Sequence, residues 1–173
     1  GALAELRAQN EKAAAGGGGV GVHRAHPGGL GRGVQQARVA ARGMVAAEQG
    51  AQWVVTPELC IPGYLFMNTI GTDWILPQPD PWMDGFRNLV KEHSLTVFLS
   101  HPERDPATDK MYNSVFVINS EGAIIGKHRK VKALGGAESW STSGWKIDPI
   151  DCDGIMTGIL ICADGYKNEI AQV

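Results

Sequence analysis

A carboxylate, an ammonium and a thiol fall where this chain is predicted to leave three strands. They are Glu58 in Thr56-Pro57-Glu58-Leu59, Lys130 in Lys127-His128-Arg129-Lys130, and Cys162 after Ile155-Met156-Thr157-Gly158-Ile159-Leu160-Ile161. Acyl transfer from an amide needs such a set. A thiol attacks and requires a base to take its proton. The tetrahedral intermediate carries a negative oxygen that requires fixed donors or a positive charge, and the leaving amine requires a proton returned. In that scheme Cys162 is the nucleophile, Glu58 carries the proton and Lys130 stabilises the oxyanion, with the backbone N–H of Ala163 as a second donor. The apolar run 155–161 predicts a buried strand and 163–169 the opening of a helix. The partial positive charge of that helix end would favour thiolate over thiol.

Each residue also has a plainer reading, and singly the plainer one is the commoner. A lone cysteine is usually a small packing residue. Glu58, after a proline at a strand end, reads as a solvated turn carboxylate. Lys130 belongs to a basic run with Lys127, Arg129 and Lys132, which reads as a wet face or a phosphate or nucleic-acid patch. The combination, not any member, points to chemistry.

The elements that must position these groups are legible as mixed α/β sequence. Residues 34–49 place Ala37, Ala40, Ala41, Met44, Val45 and Ala47 at helical spacing, with Gly50 as a stop. A β-branched run at 52–56 predicts a strand that Pro57 ends. Loop residues dominate 61–81. Asp80 predicts a cap for a helix over 81–93 with Trp82, Phe86, Leu89 and Val90 on one face, and 95–100 predicts the next strand. Runs at 113–118 and 123–128 flank Asn119-Ser120-Glu121-Gly122, a hairpin pattern with Gly122 at the left-handed position. A Gly-, Ser- and Trp-rich loop occupies 133–146.

The composition, 43% hydrophobic and 20% charged over 173 residues, fits a soluble domain with one sizeable core. A formal net charge of -2 supplies no global field for nucleic acid or a membrane surface. No apolar stretch reaches bilayer-spanning length, and no secretory leader is evident. Cys60, Cys152 and Cys162 are odd in number and lack metal-ligand spacing. They imply a reducing, cytoplasmic setting with neither disulfide nor metal. Cys60 is expected to face the core, and Cys152 to lie in a turn between Asp151 and Asp153. Trp53, Trp74, Trp82, Trp140 and Trp145 read as core or pocket wall.

Residues 1–33 stand apart. Their glycine runs, 16–19 and 28–33, raise the entropy cost of ordering and offer no core face, so the segment is expected to be disordered or non-native. No strand precedes Gly16 to make these glycines a phosphate loop, and His23 and His26 read as surface histidines rather than metal ligands. The organised part is 34–173.

Taken together, Pro57-Glu58-Leu59…Gly63-Tyr64, then Tyr112-Asn113-Ser114 through Gly122 to Gly126-Lys127-His128-Arg129-Lys130, then Gly158-Ile159-Leu160-Ile161-Cys162-Ala163-Asp164 resemble the motifs of the nitrilase superfamily of carbon–nitrogen hydrolases, in that family's order. The resemblance implies an α/β fold, an αββα four-layer sandwich that is incomplete in this chain. It implies a Glu58, Lys130, Cys162 triad, and it implies that Glu138 is a second glutamate positioning Lys130 and the substrate amide. It further implies hydrolysis of a small non-peptide amide or carbamoyl substrate by way of a cysteine thioester and water, without a cofactor, in a homodimer or higher homo-oligomer of the full-length protein. Nitrile hydrolysis or N-acyl transfer would use the same residues. An inactive fragment or noncatalytic binding module is the competing class, because the family has a strand before its first helix and roughly a hundred residues beyond the position of Val173, a domain-sized extent. His128 stands where the family often has Tyr, and Ala163 where an aromatic is common.

Overall fold

A computed structural model describes residues 29–166, with side chains from residue 31. His23, His26 and residues 167–173 lie outside it. The first helix, α1 (Gly29–Glu48), begins at Gly29 rather than at Val34, and Gly50, in the left-handed region at φ 86°, closes it. Strand β1 (Trp53–Val55) follows, then a single turn, α2 (Met67–Ile70), within the expected loop. Helix α3 (Pro81–Glu92) starts as its sequence predicts: Pro81 opens it, and the Asp80 side chain accepts a hydrogen bond from the Met83 N–H at 2.8 Å.

Strand β2 (Thr96–Arg104) runs longer than expected because it continues through Pro102. β1 pairs with it only as far as Phe98, so Pro102 sits where β2 has become an edge and a missing N–H is tolerated. β3 (Met111–Ile118) and β4 (Ile124–Arg129) form the predicted hairpin, with Gly122 at φ 73°. The sheet order is β1-β2-β3-β4, with β1 parallel to β2 and the other neighbours antiparallel.

Strand alternation gives this sheet two working faces. Val97, Leu99, Phe116 and Ile118 pack with Met83, Phe86 and Val90 of α3 and Ala40 of α1. Phe98, Val115 and Val117 turn the other way, onto Ile150, Cys152, Ile159 and Ile161. The described layers are therefore helices, a four-stranded sheet, and a two-stranded ribbon of β5 (Ile150–Cys152) and β6 (Ile155–Thr157).

The ribbon corrects two expectations. The run 155–161 is not one buried strand. Only its first three residues pair, and Ile155 and Met156 are exposed. Asp153 and Gly154 reverse the chain in left-handed conformations, so 155–157 folds back on 150–152 instead of entering the large sheet. Cys152 is a fully buried strand residue, with the turn placed just after it. A third cluster, Leu59, Phe66, Ile75 and Trp140, packs the loops around Glu58, whereas Trp145 is 83% exposed. Among the described residues no helix is long and apolar enough to cross a membrane.

Gly122 carries a local test of this packing. A Cβ there would meet the backbone oxygen of Arg87 at 2.7 Å, and its carbonyl accepts from Arg87 Nε at 2.7 Å, so the hairpin tip and α3 are fitted to a glycine. Gly122→Ala adds that clash to left-handed strain and is expected to lower stability by about 1–3 kcal/mol, read as a shift in urea midpoint at unchanged slope.

Candidate active site

Glu58 is placed by a turn pinned to β2. The Thr56 hydroxyl donates to the Phe98 carbonyl at 3.1 Å and accepts from the Ser100 N–H at 2.8 Å. The Ser100 hydroxyl accepts from the Leu59 N–H at 2.7 Å. These bonds hold Leu59 at φ 50°, a left-handed conformation costing an ordinary side chain on the order of 1–3 kcal/mol. Ser100 is thus a positioning residue that no sequence motif flagged. Lys130 leaves β4 one residue past its end, with its N–H on the Asn113 carbonyl at 2.8 Å and its own carbonyl accepting from the Gly144 N–H at 2.7 Å. Glu138 comes from a short 3-10 turn, Gly136–Glu138, and is fully buried.

The three side chains meet. Lys130 Nζ donates to Glu58 Oε1 at 2.6 Å and to Glu138 Oε1 and Oε2 at 2.9 and 2.8 Å, which commits all of its ammonium protons. Lys130 is only 1% exposed. Burial by itself would lower its pKa, but the hydrogen bonds and charges of Glu138 and Glu58 outweigh that and raise it, so the amine stays charged. Asn113 completes the cluster: its Nδ2 donates to Glu58 Oε1 and Glu138 Oε1, each at 2.8 Å, while its Oδ1 is buried without a partner. Sequence reasoning missed this role, because an asparagine inside a strand looks like any polar position until its neighbours are known. Tyr64 adds a hydroxyl to Glu138 Oε2 at 3.3 Å. Burial and then the negative charge of Glu138 push that phenol's pKa up.

One consequence is geometric. Glu58 Oε1 is anchored twice, whereas Oε2 makes no hydrogen bond among the described residues. Glu58 lines a cleft of about 350 Å³ with Trp53, Phe98, Ile159 and Cys162. Cys162 is exposed and is not hydrogen-bonded into the cluster. Cys162 and Glu58 line the same cleft, and Lys130 is not among the residues that line it. Cys162 follows the irregular stretch 158–161 and opens a five-residue 3-10 turn, Cys162–Tyr166, rather than the expected α-helix, so no α-helix within the described residues begins at the thiol. Ala163, directly after it, is buried. Cys60 is different in kind: burial pushes its thiol up to about 11, and its Sγ donates to the Ser100 carbonyl. Among the described residues no group of His, Cys, Asp or Glu could hold a metal ion.

The model of the family described as carbon-nitrogen hydrolase matches residues 12–173. The chain is 28% identical over 130 residues to a formamidase of Bacillus thuringiensis, a match covering 73% of the chain and 39% of that enzyme. Its fold superposes on Nit3 of Saccharomyces cerevisiae, described as a member of branch 10 of the nitrilase superfamily, with TM-score 0.66 and 28% identity, covering 81% of this chain and 53% of that one. It also superposes on an amidase from Nesterenkonia sp., with TM-score 0.73 and 22% identity, covering 86% and 56%. A variant of that amidase shows covalent addition of the acetamide moiety of fluoroacetamide at its active-site cysteine. The chain spans about two fifths of the formamidase and a little over half of each solved structure.

Removal of the buried cation leaves two carboxylates facing each other. Lys130→Met is therefore expected to destabilise the protein by about 3–5 kcal/mol, the scale for an uncompensated buried ion-pair partner. The additional Glu138→Gln change is expected to recover part of that loss. Denaturant unfolding of the single and double variants checks both.

Proposed function

We propose, from the premise that this chain belongs to the carbon–nitrogen hydrolase family, that it belongs to an enzyme cleaving a small non-peptide amide through a thioester on Cys162. The observation that carries this reading is the division of labour within Glu58, which lines the cleft that Cys162 also lines: one oxygen is fixed by Lys130 and Asn113, and the other makes no hydrogen bond among the described residues. The amide-cleaving relatives support the choice of substrate class.

Glu58 Oε2 takes the thiol proton as Cys162 Sγ bonds to the amide carbon. The carbonyl electrons move onto oxygen. With one cation and two carboxylates, the cluster around Lys130 carries a formal charge of -1, and the proton accepted by Glu58 brings it to neutrality. The oxyanion is then offset by the Lys130 charge and the Ala163 N–H. Since every ammonium proton is already engaged, Lys130 acts through its field, or by turning one N–H away from Glu138, which holds two. Collapse breaks the C–N bond, Glu58 returns its proton to the leaving amine, and the acyl group remains on sulfur. Water, deprotonated by Glu58, attacks the thioester carbon. The thiolate leaves and regains a proton, and the carboxylic acid departs. A nitrile, or an amine in place of water, would engage the same residues. The cytoplasmic setting and the pairing of copies implied by the family resemblance belong to this same proposal.

Fluoroacetamide tests the reading. Incubation of the protein with it is expected to pass through a fluoroacetyl thioester on Cys162 and release ammonia and fluoroacetate, with no ammonia released by Cys162→Ala and about 10²–10⁴-fold slower release by Glu58→Gln, the usual worth of a positioned proton carrier. Ammonia release that survives Cys162→Ala contradicts it.

A further inference from the structure

The element expected to hold the nucleophile does not hold it. Pairing in the ribbon ends at Thr157, and the five-residue turn at Cys162 is too short to be a rigid platform. Yet Cys162 sits at φ 48°, a conformation that persists only when its surroundings impose it. The surroundings that do so converge on Asp164, which is fully buried. Its Oδ2 accepts from the Ile161 N–H at 3.1 Å and from His128 Nε2 at 2.9 Å, and its Oδ1 accepts from the Lys132 N–H at 2.7 Å. The Asp164 N–H returns to the Ile161 carbonyl at 3.1 Å, which closes the turn around the cysteine.

We propose that His128 and Asp164 are positioning residues that latch the Cys162 turn to the strand end carrying Lys130, and so fix the thiol relative to the Glu58–Lys130–Glu138 cluster. The contacts have that logic. Ile161 is the residue before the nucleophile, while His128 and Lys132 stand two residues before and two after Lys130. One carboxylate therefore ties the nucleophile's backbone to both sides of the ammonium's. Burial would raise the Asp164 pKa, but the His128 hydrogen bond and the Lys132 and Ile161 N–H groups outweigh it and hold the carboxyl below its ordinary value, in keeping with a carboxylate built to accept. His128 is 3% exposed, and its Nδ1 has no partner among the described residues, so its polar contact is the one to Asp164.

The inference rests on the amide-hydrolase reading, and its test separates the two. The limiting rate of ammonia release from fluoroacetamide and the half-saturating concentration are measured in wild type, Asp164→Asn, His128→Phe and His128→Gln. Asp164→Asn and His128→Phe are expected to lower the limiting rate about 10–100-fold, the scale of a displacement of about 1 Å, with half-saturation within about threefold. His128→Gln, which restores an N–H donor, is expected to recover most of the rate. Either of the first two variants reacting within about threefold of wild type, or Gln no faster than Phe, overturns the latch. Amide hydrogen exchange gives a readout that does not depend on activity. Asp164→Asn is expected to speed exchange at Ile161 and Lys132, and unchanged exchange there overturns the latch. Wild-type protein that releases no ammonia from the amide sinks the hydrolase reading and leaves the latch to the exchange measurement.

Discussion

One buried ammonium organises this site. Lys130 has almost no access to water and shares its protons between two carboxylates, one from the turn after β1 and one from the 3-10 turn Gly136–Glu138. None of the three charges is stable there alone. An isolated buried ion costs several kcal/mol, and removal of a partner restores that penalty. The cluster is therefore cooperative, with Asn113 shielding the carboxylates from each other with a single amide nitrogen. Two negative charges against one positive leave a place for one proton, and Glu58 lines the cleft that Cys162 also lines.

The sheet separates this cluster from a second polar network on its helix side. There Glu103 accepts from Ser114 Oγ at 2.9 Å, Lys127 Nζ at 2.5 Å and Arg129 Nε at 2.7 Å. Burial would raise its pKa, but its two cationic partners hold the carboxyl below its ordinary value. Strand alternation produces the separation: Lys127 and Arg129 pair with Phe116 and Ser114 on the helix side, while His128 pairs with Val115 on the site side. The basic run that reads in sequence as one wet face is split across the sheet: Lys127 and Arg129 share Glu103, whereas Lys130 pairs with Glu58 and Glu138.

What could be read from sequence followed the range of the forces involved. The Asp80 cap, the Gly122 turn and the helix ended by Gly50 are set by a few neighbouring residues, and they stand where those residues place them. Glu58, Lys130 and Glu138 were legible as motif positions; the hairpin and the parallel β1–β2 pair bring the strand ends near Glu58 and Lys130 together, and the 3-10 turn Gly136–Glu138 adds Glu138. The 155–161 run misled because apolar continuity cannot distinguish one strand from a three-residue strand followed by an irregular buried stretch. Ser100 carried no local signal, and Asn113, His128 and Asp164 lay inside the motif stretches without a contact being assigned to them. His128 and Asp164 are 36 residues apart, and a polar residue in a strand declares its partner only when the fold is closed.

Lys130 is held as a charged ammonium by Glu58 and Glu138, and nitrogen-15 NMR of its Nζ through an alkaline titration measures this directly. The pairing with two carboxylates requires the ammonium signal to persist beyond 10.5, the ordinary value, with Glu138→Gln moving the transition to lower pH. A Lys130 that loses its proton below 10.5, or that titrates identically when Glu138 is neutralised, would contradict it.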